Sequence, residues 1–205
     1  MAPEIIRAES VSYYYHRGTA LESKALNEIS FKVEQGEALA LLGKTGSGKS
    51  TLLEHLNGLL SLQEGELHVT DFNLSDSDLH LKELRAKVGF LFQQAGDQVF
   101  SEYITDDIAF GPGEYGFTSE EIKRRVRTAM EEAGLDVRRY KNRRTADLSG
   151  GERRKVAFAG VLAMQPELLV LDEPGAGLDP RSKEELIKLL IGLKQKGTSL
   201  VFAEH

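Results

Sequence analysis

Gly43-Lys44-Thr45-Gly46-Ser47-Gly48-Lys49-Ser50 is the stretch that decides the fold. It satisfies G-x-x-x-x-G-K-[ST] in full, with an apolar run over residues 37–42 before it and a helical pattern over 49–58 after it. Glycines let the backbone curl so that successive N–H groups point at phosphate oxygens. The N-terminus of the following helix adds the positive end of its dipole. Lys49 is placed to reach the β- and γ-phosphates, and Ser50 to set its hydroxyl on Mg²⁺. Thr51 closes the same nucleotide-binding set. A glycine-rich turn with an accidental lysine is the competing reading, and the flanking strand and helix argue against it.

A second acidic element supports the first. Leu168-Leu169-Val170-Leu171 reads as a buried strand and is followed at once by Asp172-Glu173. Carboxylates at the carboxyl end of a buried parallel strand sit where open α/β sheets bind ligands. Asp172 suits Mg²⁺, which prefers oxygen ligands and keeps several waters. Glu173 is then the candidate to orient or deprotonate an attacking water. Taken alone, a polar strand end is common; together with the phosphate loop it becomes specific.

Leu148-Ser149-Gly150-Gly151-Glu152 opens another helix. A hydroxyl and two glycines at a helix N-terminus make a second anion site, although Ser149 is also an ordinary N-cap. One nucleotide hardly needs two such devices. The economical arrangement is two chains packed head to tail, each presenting Ser149, Gly150 and Gly151 to the other chain's phosphate loop.

The remaining pattern fixes the class. Strands are expected at 4–15, 29–33, 37–42, 66–69, 87–92, 168–171 and 199–202, with β-branched and aromatic residues in the N-terminal third. Thr118 and Glu121 form a capping-box signature before an apolar stripe of Ile122, Val126, Ala129, Met130 and Ala133, and Gly134 stops that helix. Helices are also expected from about 149 to 163 and, after Asp179-Pro180, to about 196. Strands alternating with helices indicate a mainly parallel α/β sheet, interrupted by a helical insert.

Composition narrows the function classes. The 205 residues are 40% hydrophobic and 28% charged, which suits a folded globular chain. Cys is absent, so disulfide scaffolds, thiolate zinc sites and Cys nucleophiles are excluded, and a cytosolic setting fits. The longest apolar runs are far too short to cross a bilayer. A net charge of −6 argues against a nucleic-acid coat. Residues 123–155 nevertheless carry twelve Lys/Arg against five Asp/Glu. That segment reads either as an anion-binding face or as a solvated, arginine-rich helical region.

With these motifs in this order, nearly the whole chain resembles the nucleotide-binding subunit of an ATP-binding cassette (ABC) ATPase. The resemblance implies a P-loop NTPase core with a mainly parallel sheet, an N-terminal antiparallel β part and a helical subdomain insert. It implies a RecA-like ATP-binding core over 1–96 and 166–205, and a helical signature subdomain over 97–165. ATP and Mg²⁺ are the implied cofactors. Tyr15 resembles the aromatic that stacks on adenine, with Tyr13 the competitor and a plain strand aromatic the bland alternative. Gln93 resembles the glutamine that touches Mg²⁺ or its water and relays nucleotide state to a membrane partner. Asp179 resembles the aspartate of the loop after the catalytic carboxylate, and His205 the switch histidine that contacts the γ-phosphate.

A narrower likeness rests on Phe92-Gln-Gln-Ala-Gly-Asp-Gln-Val-Phe100 and Asp107-Ile-Ala-Phe-Gly-Pro112. These are similar to the ATPases of energy-coupling factor (ECF) transporters, which import vitamins or transition-metal ions. The implied partners are a second ATPase subunit, identical or different, a transmembrane coupling protein and a substrate-binding membrane component. The implied place is the cytoplasmic face of a membrane. No nucleic-acid partner is expected.

Three departures stand out. The chain ends at His205, where the family normally continues. The expectation is either a fragment lacking its C-terminal part or an impaired site, since a terminal carboxylate near the γ-phosphate would repel it and the last strand would lose its covering. Gly175 stands where the family usually has Thr or Ser, and Ala95-Gly96 replaces a stretch that usually contains Pro. Two alternatives stay open: an ABC ATPase acting on nucleic acid or the ribosome, and a nucleotide-binding regulatory fragment without turnover.

Overall fold

The computed structural model describes residues 3–204. It divides into two compact units, one of residues 1–90 and 167–205, the other of residues 91–166.

The first unit holds two sheets. One is antiparallel in the order β2-β1-β4-β5: β1 is Glu4–Tyr15, β2 Ser23–Glu34, β4 Glu64–Val69 and β5 Phe72–Asn73. The other runs β3-β8-β7-β6: β3 is Ala38–Leu42, β6 Val88–Leu91, β7 Leu168–Asp172 and β8 Ser199–Glu204. β3 pairs parallel with β8, and β8 parallel with β7. This is the α/β architecture with an antiparallel N-terminal part that the motifs imply.

Helix α1 (Lys49–Leu56) joins the two sheets into one core. Its Leu53 and Leu56 are fully buried in the same cluster as Ile6, Leu67 and Val69 of the antiparallel sheet and Leu168, Val170 and Val201 of the parallel one. Burial of a leucine side chain is worth about 2 kcal/mol, so this helix is pinned mainly by packing. Helix α2 (Leu81–Lys87) precedes β6, and α7 (Pro180–Gln195) lies between β7 and β8. Asp179 caps α7, accepting from the Arg181 and Ser182 N–H groups at 3.0 and 3.1 Å.

β8 is not the uncovered strand. It sits between β3 and β7 and is largely buried, whereas β3 forms the edge and leaves Leu42 72% exposed. An apolar run records hydrophobicity but not how many neighbours a strand has, so the run over 37–42 does not show that its strand lies at the edge.

The second unit is helical: α3 (Ile104–Glu114), α4 (Ser119–Glu132), α5 (Val137–Tyr140) and α6 (Gly150–Leu162). Of the expected stripe, Val126, Ala129, Met130 and Ala133 are buried, while Ile122 in the first turn of α4 is only half-buried. The Thr118 cap is one-sided: its hydroxyl accepts from the Glu121 N–H at 3.3 Å, while the Glu121 carboxylate pairs with Arg125 at 3.2 Å. Arg125 also donates to the carbonyls of Ala163 and Met164 at 3.2 and 3.1 Å, satisfying the C-terminal end of α6.

Leu53→Ala is expected to cost about 3 kcal/mol, because a fully buried side chain leaves a cavity that neighbours on two sheets cannot close. Urea denaturation measures this; a loss near zero would contradict the central place given to α1.

Candidate functional site

The phosphate loop runs from the end of β3 to the first residue of α1. Gly46 and Gly48 both take positive φ, 81° and 91°. At Gly48 a side chain is excluded twice, by the left-handed backbone and by the Ala25 carbonyl oxygen 2.4 Å from where a Cβ would sit. At Gly43 a Cβ would meet the Ser47 hydroxyl at 2.7 Å. Lys44, Thr45, Gly46 and Ser47 are exposed along the outside of the loop. The Lys49 ammonium lies across it, donating to the carbonyls of Gly43 and Lys44 at 2.6 and 3.3 Å. No side chain caps α1, so the N–H groups of its first turn remain available for an anion.

Asp172 ends β7 beside this loop and is 9% exposed. Burial lifts its carboxyl above the ordinary range; the Ser50 hydrogen bond opposes this, the neighbouring Glu173 charge adds to it, and Lys49 opposes it. Its Oδ1 atom is buried with no hydrogen-bond partner. A buried carboxylate oxygen left unsatisfied is costly and calls for a ligand. One carboxylate and one hydroxyl, from Asp172 and Ser50, fit Mg²⁺, which takes its other oxygens from water and phosphate. Among the described residues no group of three or more His, Cys, Asp or Glu forms a protein-only metal cage.

Glu173 follows with φ 47°, left-handed backbone that costs a non-glycine residue about 1 kcal/mol or more. Such strain persists where the surroundings fix it. Glu204, a residue the motifs do not mark, supplies part of that bracing: its Oε1 accepts the Gly175 N–H at 3.1 Å. The same oxygen lies 2.9 Å from where a Gly175 Cβ would be, so glycine is what allows this close approach.

Tyr15 and Tyr13 part company. Tyr13 packs against the core and meets the His55 ring edge-on, with centroids 4.8 Å apart. Tyr15 is 36% exposed at the end of β1, and its hydroxyl hydrogen-bonds to Thr51 of α1 at 3.0 Å. An exposed ring fixed at the edge of the phosphate loop is the better platform for a base. Asp179 is exposed and engaged as the cap of α7. His205 lies outside the described residues.

The other candidates belong to the helical unit. Gln93 follows β6 and is exposed; beyond it a 3₁₀ turn over Ala95–Gln98 is braced by Gln98, whose Oε1 accepts the Phe92 N–H at 3.0 Å. Ser149 caps α6 in a full reciprocal box with Glu152. Gly150 and Gly151 are exposed, and nothing lies within 4 Å of where their Cβ atoms would be. A phosphate can therefore approach the backbone N–H groups of this helix end. Part of the basic segment is paired with carboxylates: Arg143 with Glu152 at 3.1 Å and Arg144 with Glu102 at 2.8 Å.

Comparison with known proteins agrees with this geometry. The ABC transporter family model matches residues 26–176. The energy-coupling factor transporter ATP-binding protein EcfA2 of Clostridioides difficile is 44% identical over 98% of this chain and 70% of its own length. The EcfA2 protein of Clostridium perfringens is 45% identical over the same shares. Among solved structures, cbiO1 of Clostridium perfringens, part of the ABC transporter complex cbiONQ, superposes with a TM-score of 0.86 at 35% identity, over 98% of this chain and 78% of that one. A dimeric ATP-binding cassette in a post-hydrolysis state, bound to ADP and Pi, gives 0.86 at 28% identity, over 98% and 88%.

Because the folded Asp172 holds its proton at pH values where the unfolded chain has released it, its stability contribution falls as pH rises through that window. At neutral pH its charge is a net cost. Asp172→Asn is therefore expected to raise the Tm of the nucleotide-free protein at pH 7 by about 3 °C, or about 1 kcal/mol, while abolishing stabilisation by Mg²⁺ with nucleotide. A lower Tm at pH 7 would contradict the account of this site.

Proposed function

From the premise that this chain belongs to the ABC transporter family, we propose that it is the ATP-binding and ATP-hydrolysing subunit of an ECF importer. It powers uptake of a vitamin or transition-metal ion from the cytoplasmic face of a membrane. The observation that carries the ATPase reading is the phosphate loop beside a buried Asp172 with an unsatisfied oxygen. The likeness to the EcfA2 proteins supports the importer reading. No helix among the described residues is long and apolar enough to cross a membrane.

The roles follow from the chemistry of the side chains. The Tyr15 ring stacks on adenine, held in place through Thr51. The loop N–H groups from Gly43 to Ser50 cradle the phosphates, and Lys49 exchanges its carbonyl partners for phosphate oxygens. Ser50 and Asp172 would hold Mg²⁺, and Gln93 relays nucleotide state to the membrane partner. When bound, Mg²⁺ neutralises charge on the β- and γ-phosphates.

Glu173 orients a water and accepts its proton as the water oxygen attacks the γ-phosphorus. The bond to the bridging oxygen breaks, and ADP leaves with that electron pair. His205 and Asp179 support the γ-phosphate end. Ser149, Gly150 and Gly151 of a second cassette close over the phosphate, so each site needs two chains, alike or different. Transport follows because closing and reopening of this pair moves a transmembrane coupling protein that carries the substrate-binding component.

Glu173→Gln is expected to lower turnover by about 100-fold or more while leaving ATP binding intact. The variant should accumulate as an ATP-bound dimer on size exclusion and abolish uptake by membrane vesicles carrying the assembled importer. Turnover within twofold of the wild type would remove Glu173 from its role.

A further inference from the structure

Glu152 of the helical unit is engaged by several donors, and the phosphate-closing role of α6 does not account for all of that engagement. Its Oε2 accepts from the Ser149 N–H and hydroxyl, each at 2.9 Å, which completes the capping box. Its Oε1 faces the other way and accepts from the Tyr140 hydroxyl at 2.6 Å and from Arg143 at 3.1 Å. The Arg139 guanidinium is 4.0 Å from the same oxygen. Tyr140 is buried, with Arg143 and Arg139 over its ring at 5.0 and 5.2 Å. Arg143 also donates to the Asp147 carbonyl at 2.7 Å, fastening the approach to Ser149. The Tyr140 hydrogen bond above all, then those from Ser149 and Arg143, pull Glu152 down to about 2, so it is ionised at any working pH.

This creates an electrostatic problem at the helix end. A carboxylate in the first turn stabilises the helix but competes for its dipole with an arriving phosphate, and the two anions repel. Two guanidinium groups beside the carboxylate offset that charge, and a phenol turns half of it away from the glycines. We propose that Tyr140 and Arg143 are positioning residues for nucleotide closure: they hold Glu152 aside and neutralise it, so that Ser149, Gly150 and Gly151 meet the γ-phosphate with net attraction. This rests on the ATPase reading above. It adds two residues that lie outside the signature itself.

The test is steady-state ATP hydrolysis by the assembled dimer, read as KM and kcat separately, with melting curves for each variant. Arg143→Ala is expected to raise KM about fivefold with kcat within about twofold, since the carboxylate loses the nearer of its two guanidinium groups and keeps only the weaker contact to Arg139 at 4.0 Å. Tyr140→Phe, which keeps the buried ring, raises KM by a smaller factor. Glu152→Gln lowers KM, because a Gln carbonyl can still cap Ser149 while its amide donates to the Tyr140 oxygen; Arg143 loses its acceptor there but keeps its bond to the Asp147 carbonyl. Adding Glu152→Gln to Arg143→Ala returns KM to near the wild-type value.

A purely structural role gives a different pattern: Glu152→Gln raises KM, and the double variant is worse than Arg143→Ala. Either result overturns the proposal, as does a KM that ignores both Arg143→Ala and Tyr140→Phe in an active dimer. If Arg143→Ala does not fold, the direction of the Glu152→Gln change decides. A wild-type dimer with no turnover overturns the ATPase reading, and this inference with it.

Discussion

A carboxylate taken out of water at the end of β7, with one oxygen that no protein group satisfies, is the constraint on which the rest of the ATP-binding unit depends. Left to itself the charge is unfavourable, and burial pushes Asp172 towards its neutral form. The cost is tolerable because β7 and α1 are locked by Leu168, Val170 and Leu53 in one core, so stability comes from elsewhere in the unit. A site that is uncomfortable alone and relieved by a cation is well suited to coupling ligand binding to closure.

The same economy governs the neighbouring backbone. Gly46 and Gly48 take conformations that L side chains rarely adopt, and Glu173 takes one despite its side chain. The loop is held by Gly48 against the Ala25 carbonyl, and the turn after Glu173 by Glu204 on the Gly175 N–H. Gly175 therefore has a structural reason in this chain: a side chain there would press on the brace. On the helical unit the glycines of α6 have open space above them, and the charge nearest to them is tied down by Tyr140 and Arg143.

Much of this was readable from local patterns. The phosphate loop, the strand ending in Asp172 and the cap at Ser149 are contiguous motifs whose chemistry depends on neighbours in sequence, and each stands where its motif implies. What escaped was short or distant. β5 has two residues, α5 has four and α2 buries only Leu84, so none shows a period. The edge position of β3 depends on sheet order, which an apolar run does not encode. Glu204 reaches Gly175 across 29 residues, and the Tyr140–Glu152 bond spans 12. The Thr118 box failed on one side because Arg125 competes for Glu121, a partner one helical turn away. The choice between Tyr15 and Tyr13 needed His55, which draws Tyr13 inward.

In the reading proposed above two chains make each site, because the phosphate loop and the Ser149–Gly151 anion end are separate devices that one nucleotide does not need from a single chain. The direct measurement is the specific rate of MgATP hydrolysis against protein concentration, for the chain alone and with a second ATPase subunit added. The account predicts a rate per chain that climbs with concentration towards a plateau in at least one series. A rate per chain that is constant across the whole range in both series would show that one chain suffices, and would contradict it.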